Sequence, residues 1–181
     1  MTEFTQRKSN RLKGYNYSQA GCYFVTICII DRHEILAQIV GDAHLGVPSI
    51  ELTETGLMVE RHVTNIDAVY IRLRVDKYVI MPNHVHLLLS ISDDSPLNAN
   101  GTPMCASPTK STIAKAINAF KSLTSRQFGE PMWQRSYHDH VVRDNTEYKR
   151  IWNYIDTNPY SWTEDKYYVN DENNENRYSI E

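Results

Sequence analysis

Two apolar runs held apart by only two residues constrain this chain most. From Tyr70 to Met81, Ile71, Leu73 and Val75 alternate with Arg72, Arg74 and Asp76, and the run then turns apolar at Tyr78-Val-Ile-Met81. Pro82-Asn83 interrupts it, and His84-Val-His-Leu-Leu-Leu-Ser-Ile91 follows. Period-two alternation is the mark of a strand, and a Pro-Asn pair favours a tight turn. The simplest account is two adjacent antiparallel strands, so a sheet must form the centre of the fold.

The other elements are placed around that pair. Cys22-Tyr-Phe-Val-Thr-Ile-Cys-Ile-Ile30, preceded by Gly21, is aromatic and β-branched and predicts a buried strand. Residues 34–52 are irregular, with room for a short hairpin. Thr53 is placed to cap a helix whose apolar side is Leu57, Val59, Val63, Ile66 and Val69. Residues 92–108 form turns and read as a loop. A second helix is expected from Ser107 to about Gln127, with Ile113, Ile117, Phe120 and Leu123 on one face. Tyr137 to Val142 reads as a short strand. Asn145 is placed to cap a last helix that Pro159 ends. This order predicts an α+β fold of the split β-α-β, ferredoxin- or RRM-like kind. An antiparallel sheet of four to five strands carries helices mainly on one face, and a C-terminal helix follows. The expected division is a basic arm at 1–20, one domain at 21–162 and an acidic tail at 163–181.

Composition excludes several classes. With 181 residues, 41% of them apolar and 23% charged, the chain has the make-up of an ordinary globular domain. It has no apolar run long enough to span a membrane, so no membrane partner is expected. Its opening residues do not read as a secretory signal. Cys22, Cys28 and Cys105 have neither disulfide-framework nor zinc spacing, which fits a cytoplasmic protein. The net charge of −3 hides segregation. Residues 1–14 carry +3, residues 110–150 carry +4 and residues 164–181 carry −4. Such a chain can present a local positive face.

The chemistry concentrates in two segments. On a strand, His84 and His86 point to one side and Val85 to the other. Two imidazoles converging from one rigid strand make a clamp for a divalent ion, provided another element supplies a further ligand. Two histidines on a half-exposed sheet would look the same. In the last helix Tyr154 and Asn158 are four residues apart and share a face. A tyrosine can serve as an oxygen nucleophile, and an asparagine can offer its carbonyl oxygen to a hard cation. Periodicity alone equally permits a core tyrosine and a helix C-cap. His138 and His140 form a second, weaker H-x-H, for which an edge-strand or DNA-contact role is expected.

Together these segments resemble a family. Met81-Pro-Asn-His-Val-His-Leu-Leu-Leu89 resembles the HUH motif of single-tyrosine transposases, in particular the REP-associated tyrosine transposases. Residues 14–28 (G-Y-N-Y-S-Q-A-G-C-Y-F-V-T-I-C) resemble that family's opening strand, and 119–126 (A-F-K-S-L-T-S-R) its basic helix. Residues 133–144 (W-Q-R-S-Y-H-D-H-V-V-R-D) and 147–159 (E-Y-K-R-I-W-N-Y-I-D-T-N-P) resemble its C-terminal block. The likeness runs in order through residues 11–162, while 34–52 match no motif.

The resemblance implies metal-binding histidines at His84 and His86, a nucleophile at Tyr154, and a polar residue completing the metal site at Asn158. It implies Mg²⁺ or Mn²⁺ as cofactor and single-stranded or hairpin-forming DNA as partner. The reaction would be nicking and rejoining through a 5′-phosphotyrosyl intermediate. Homodimers and monomers are both consistent with it. Arg11, Lys13, Lys121, Arg126, Arg135, Arg143 and Arg150 are the candidate DNA contacts. Trp133, Tyr137 and Trp152 are candidates for base stacking, with core packing favoured for the two tryptophans. The competing reading is a domesticated nucleic-acid-binding protein of the same fold that does not cut. A third keeps the chemistry but assigns a plasmid relaxase or rolling-circle initiator.

Overall fold

A computed structural model describes residues 20–41, 48–92 and 112–169. The expected basic arm with Arg11 and Lys13, most of the 92–108 loop with Cys105, and residues 170–181 lie outside the described residues. Strands β1 (Gly21–Cys28), β4 (Leu73–Met81), β5 (His84–Ile91) and β6 (His138–Val142) form one antiparallel sheet in the order β4-β5-β1-β6. Strands β2 (Ala37–Val40) and β3 (Ser49–Leu52) form a separate hairpin. The helices are α1 (Glu54–Thr64), the short α2 (Ile66–Val69), α3 (Thr112–Phe128) and α4 (Asn145–Thr157). Leaving the hairpin aside, this is the split β-α-β arrangement, with β5 inserted between β1 and β4.

β4 and β5 meet as expected across Pro82-Asn83, with Met81 opposite His84. The register shifts between Val75 and Lys77, leaving Asp76 at a bulge. β5 is buried along almost its whole length because it has a strand on each side and helices on both faces. Tyr23, Val25, Ile27, Val85, Leu87 and Leu89 face α1 and α3 and make the main core with Val59, Val63, Ile113, Ile117 and Phe120. Phe24 and Leu88 face the other way, toward Ile151 and Ile155 of α4. Two helices therefore cover one face and α4 the other.

The helix stripes differ from expectation in ways the helical repeat explains. In α1 the buried residues are Gly56, Met58, Val59 and Val63, while Leu57 is exposed. The helix breaks at Asn65, so the stripe never reaches Val69, which is also exposed. In α3 the position four beyond Phe120 is Thr124, and it is Thr124, not Leu123, that is buried. Its hydroxyl donates to Phe120 O (2.8 Å) and accepts from Trp133 Nε1 (2.7 Å), which makes a threonine acceptable there. Thr53 caps α1 as expected, accepting from Gly56 N at 3.0 Å. The α4 cap is Asp144 rather than Asn145, with its carboxylate accepting from Glu147 N at 2.8 Å.

As expected, α4 stops at Thr157, just ahead of Pro159. The proline sits in the first turn of a 3-10 segment, Asn158–Glu164, where its missing N–H costs nothing. Beyond it the chain stays packed. Trp162 and Tyr167 are buried with Cys28 and Met81 in a second core, which Ile39 and Ile50 of the hairpin flank. Residues 163–169, expected to open an acidic tail, are thus part of the folded unit.

The hairpin end of the domain is held by a close approach at Gly56. A Cβ there would meet Leu36 O at 1.9 Å, a backbone atom that cannot move aside. Gly56→Ala is expected to lower stability by roughly 2–4 kcal/mol. A urea titration that gave an unchanged midpoint would contradict this packing.

Candidate active site

The candidate site lies on the α4 face of the sheet, at the end nearest the Pro82-Asn83 turn. Asn83 builds its base. It is fully buried, and its Nδ2 donates to Arg32 O (3.2 Å) and Tyr167 O (2.9 Å). Arg32 O is presented by a turn in which Asp31 and Arg32 both take left-handed φ, 52° and 59°. With Nδ2 so engaged, Asn83 Oδ1 faces His84 Nδ1 at 2.9 Å. An amide oxygen only accepts, so His84 carries its proton on Nδ1 and turns its Nε2 lone pair into the site.

His86, two residues on, comes to the same face. The two Nε2 atoms are 3.0 Å apart. His86 Nδ1 lies 2.8 Å from Thr26 Oγ1 on the neighbouring strand. A hydroxyl both donates and accepts. Thr26 therefore suits the His86 tautomer that donates Nε2–H to His84, and equally the one that leaves both Nε2 lone pairs free for a cation. Burial drives the pKa of both imidazoles well below the usual histidine value. The Lys166 charge pushes both the same way, Arg32 adds to this at His84, and Asp165 opposes it there. Both rings are neutral near pH 7, the form that binds metals.

Tyr154 is delivered by α4. The helix seats Ile151 and Ile155 against Leu88, and Lys77 of β4 lies 4.2 Å from the centre of the Trp152 ring while pairing with Asp156 at 2.6 Å. Tyr154 stands at the margin of that buried stripe, 37% exposed. Its Oη lies 3.3 Å from His86 Nε2 and donates to Asp165 Oδ2 at 3.2 Å. Burial is the main cause of a strongly raised phenol pKa, and the Asp165 charge adds to it. The phenol is therefore protonated at neutral pH. Tyr148, on the same helix, donates instead to Asp76 Oδ2 at 3.2 Å.

Asn158 is 2% exposed, one turn beyond Tyr154. Its Nδ2 donates to Asp165 Oδ2 at 2.9 Å, while its Oδ1 is buried without a hydrogen-bond partner among the described residues. Asp165 is the residue that sequence reasoning missed. Its carboxylate accepts from Tyr154, Asn158 and Tyr167 N (2.7 Å), and ligand atoms of His84, His86 and Asp165 all lie within 4.8 Å of one another. The available signal was Tyr167-Tyr168, two aromatics in the segment expected as tail. A cluster of two imidazoles, a carboxylate and an orphaned amide oxygen has the donor chemistry a divalent cation takes.

The candidate DNA contacts separate. Arg150 lines a cavity of about 390 Å³ together with Tyr154. Arg126 is exposed on α3, which covers the opposite face of the sheet. Lys121 Nζ donates to Gln134 O (2.5 Å) and Arg135 O (3.0 Å), tying down the chain that leads into β6. Arg135 and Arg143 are exposed, before and after β6. His140 pairs with Glu147 at 2.8 Å, and the His138 ring is 6.5 Å from that of Tyr167. Trp133 is buried in the main core, and Trp152 is half-buried.

Comparison with known proteins adds a relative and a fold. A Haemophilus influenzae (strain Rd) protein bearing the name "Uncharacterized protein" is 34% identical over 174 residues, 90% of this chain and 93% of the relative. The chain belongs to that protein's family. No family model matches it. Among solved structures, the REP-associated tyrosine transposase bound to a REP hairpin superimposes with a TM-score of 0.54. That match covers 88% of this chain and 73% of the transposase at 16% identity, a likeness of fold. A crystal structure of a Deinococcus radiodurans R1 protein, provisionally described as a transposase, aligns over 81% of this chain and 97% of its own. At 20% identity and a TM-score of 0.44 it adds nothing to the argument. No described helix is long and apolar enough to cross a membrane.

The buried histidines give the metal-free protein a definite pH dependence. Their folded pKa values lie below the unfolded value near 6.5. The unfolded chain therefore binds more protons as pH falls through about 6.5, and stability present at pH 7 is lost on acidification. Thermal unfolding in EDTA is expected to show a falling midpoint from pH 7 to pH 5, with a shallower fall in His86→Gln. Equal slopes for the two proteins would contradict the buried, neutral pair.

Proposed function

We propose that this chain is a metal-dependent DNA strand transferase of the transposase type, which nicks and rejoins single-stranded or hairpin-forming DNA through Tyr154. The observation that carries this is the Tyr154 hydroxyl within 3.3 Å of His86 Nε2 and 3.2 Å of Asp165 Oδ2, beside a His84–His86–Asp165 cluster. The likeness of fold to a hairpin-bound tyrosine transposase supports it.

His84 Nε2, His86 Nε2 and an Asp165 oxygen would hold the ion, Mg²⁺ or Mn²⁺, with the Asn158 carbonyl oxygen as the candidate fourth donor. The bound ion would neutralise and polarise the scissile phosphate. Asn83 and Thr26 hold the two imidazoles in ligating orientation. Asp165 holds the phenol at the edge of the cluster, open to solvent on one side. In the reaction the Tyr154 oxygen forms a bond to phosphorus while the bond from phosphorus to the 3′-oxygen breaks. The phenolic proton leaves toward Asp165 Oδ2, the acceptor already hydrogen-bonded to it, and the departing 3′-oxygen gains a proton from solvent. The 5′-phosphotyrosyl bond stores the energy for rejoining, so no nucleotide cofactor is needed.

Covalent trapping tests this. Purified protein is incubated with labelled single-stranded hairpin DNA, including sequence flanking its own gene, in Mn²⁺, Mg²⁺ or EDTA. An SDS-resistant adduct is expected with metal only, at least a hundredfold weaker in Tyr154→Phe and His84→Ala. Hairpin binding without any adduct would leave the non-cutting binding protein as the better reading. Asp165→Asn is expected to raise the metal concentration for half-maximal adduct at least tenfold. An unchanged metal requirement in Asp165→Asn, with a raised one in Asn158→Ala, would return the third ligand to Asn158.

A further inference from the structure

Two cavities flank Tyr154 among the described residues, and they differ in charge. Phe24, Tyr154 and Lys166 border both. On the 3-10 side, a cavity of about 440 Å³ is lined by Asn158, Ser161, Glu164 and Asp165. On the β6 side, the cavity of about 390 Å³ is lined by Phe24, Thr26, His138, His140, Arg150 and Lys166. That volume lies within the roughly 300–1,000 Å³ of ordinary ligand clefts. Asp139 also borders it, with both carboxylate oxygens buried.

We propose that the β6-side cavity seats the unpaired nucleotide adjoining the bond Tyr154 attacks, with its base on Phe24 and its backbone phosphate between Arg150 and Lys166. This rests on the strand-transferase reading and extends it to the binding of the flanking strand. Phe24 stands beside the reacting group, its ring 5.0 Å from His86 and edge-on to Tyr154 at 6.0 Å. It stands on β1, one of the two inner strands, two residues before Thr26, and is only half-buried. Where α4 leaves an aromatic of this sheet face half-uncovered, an unstacked base of any sequence can lie on it. Arg150 and Lys166 are exposed. The bond Arg150 makes to Glu147 is long, 3.4 Å, and solvent-facing, so a phosphate replaces it at little cost. On the opposite side Glu164 and Asp165 repel a phosphate that no cation shields. The charge difference thus sends the adjoining backbone toward β6.

The test uses full-length protein and short random-sequence single-stranded DNA carrying one iodouracil. Ultraviolet irradiation is expected to crosslink the base to Phe24, read by peptide mass spectrometry. Phe24→Leu is expected to weaken binding about tenfold, the size of one base–aromatic stack, with Phe24→Trp restoring it. Arg150→Ala and Lys166→Ala are each expected to lower the slope of log affinity against log salt by about 0.7. Crosslinks confined to the α1/α3 face, or unchanged affinity in Phe24→Leu, would overturn the seat even if the Tyr154 adduct forms. Crosslinks at Phe24 without any adduct would keep the seat and sink the nicking chemistry. Absence of both would sink both.

Discussion

The register of β5 against its neighbours is the constraint on which the rest depends. Side chains alternate along a strand, so a slip of one residue would turn His84 and His86 into the apolar face and Val85 out of it. The two-residue turn at Pro82-Asn83 prevents this by pairing Met81 with His84, and β1 reads the same register from the other side by pairing Thr26 with His86. The buried Asn83 locks the turn to Arg32 and Tyr167 at once. A single hairpin thereby sets which face carries chemistry, and it also orients the first imidazole.

The two faces of the sheet then divide the work. Toward α1 and α3 the core is apolar and supplies most of the burial that stabilises the domain. Toward α4 the burial is smaller and polar groups reach inside it. Buried polar groups are tolerated only when partnered, and here Thr26, Asn83 and Asp165 supply those partners. Among the described residues the exceptions are Asn158 Oδ1, which sits in the same cluster, and the Asp139 carboxylate of β6. The same burial keeps the two histidines neutral and the Tyr154 phenol protonated.

Much of the fold was legible because the signals are local. The strand at 84–91, the Thr53 cap and the α3 stripe through Ile113, Ile117 and Phe120 all follow from short-range period and capping chemistry. The errors were local too. The helical step places Thr124 in the core instead of Leu123, and a threonine is invisible to a hydrophobic pattern even when its hydroxyl is satisfied inside. The acidic composition near the end concealed Tyr167, whose burial with Trp162 carries residues 163–169 back over the sheet.

The sequence by itself determined the order of elements, the common face of His84 and His86, and the shared helical face of Tyr154 and Asn158. Each of these is a consequence of backbone period, which a few neighbouring residues dictate. Only the tertiary structure decided that Asp165 meets the histidines, that Arg150 and Lys166 border a cavity beside Phe24, and that Lys121 is spent on backbone carbonyls. Those are approaches between residues distant in the chain. They depend on how α4 and the segment after it pack on the sheet, and no local pattern encodes that distance.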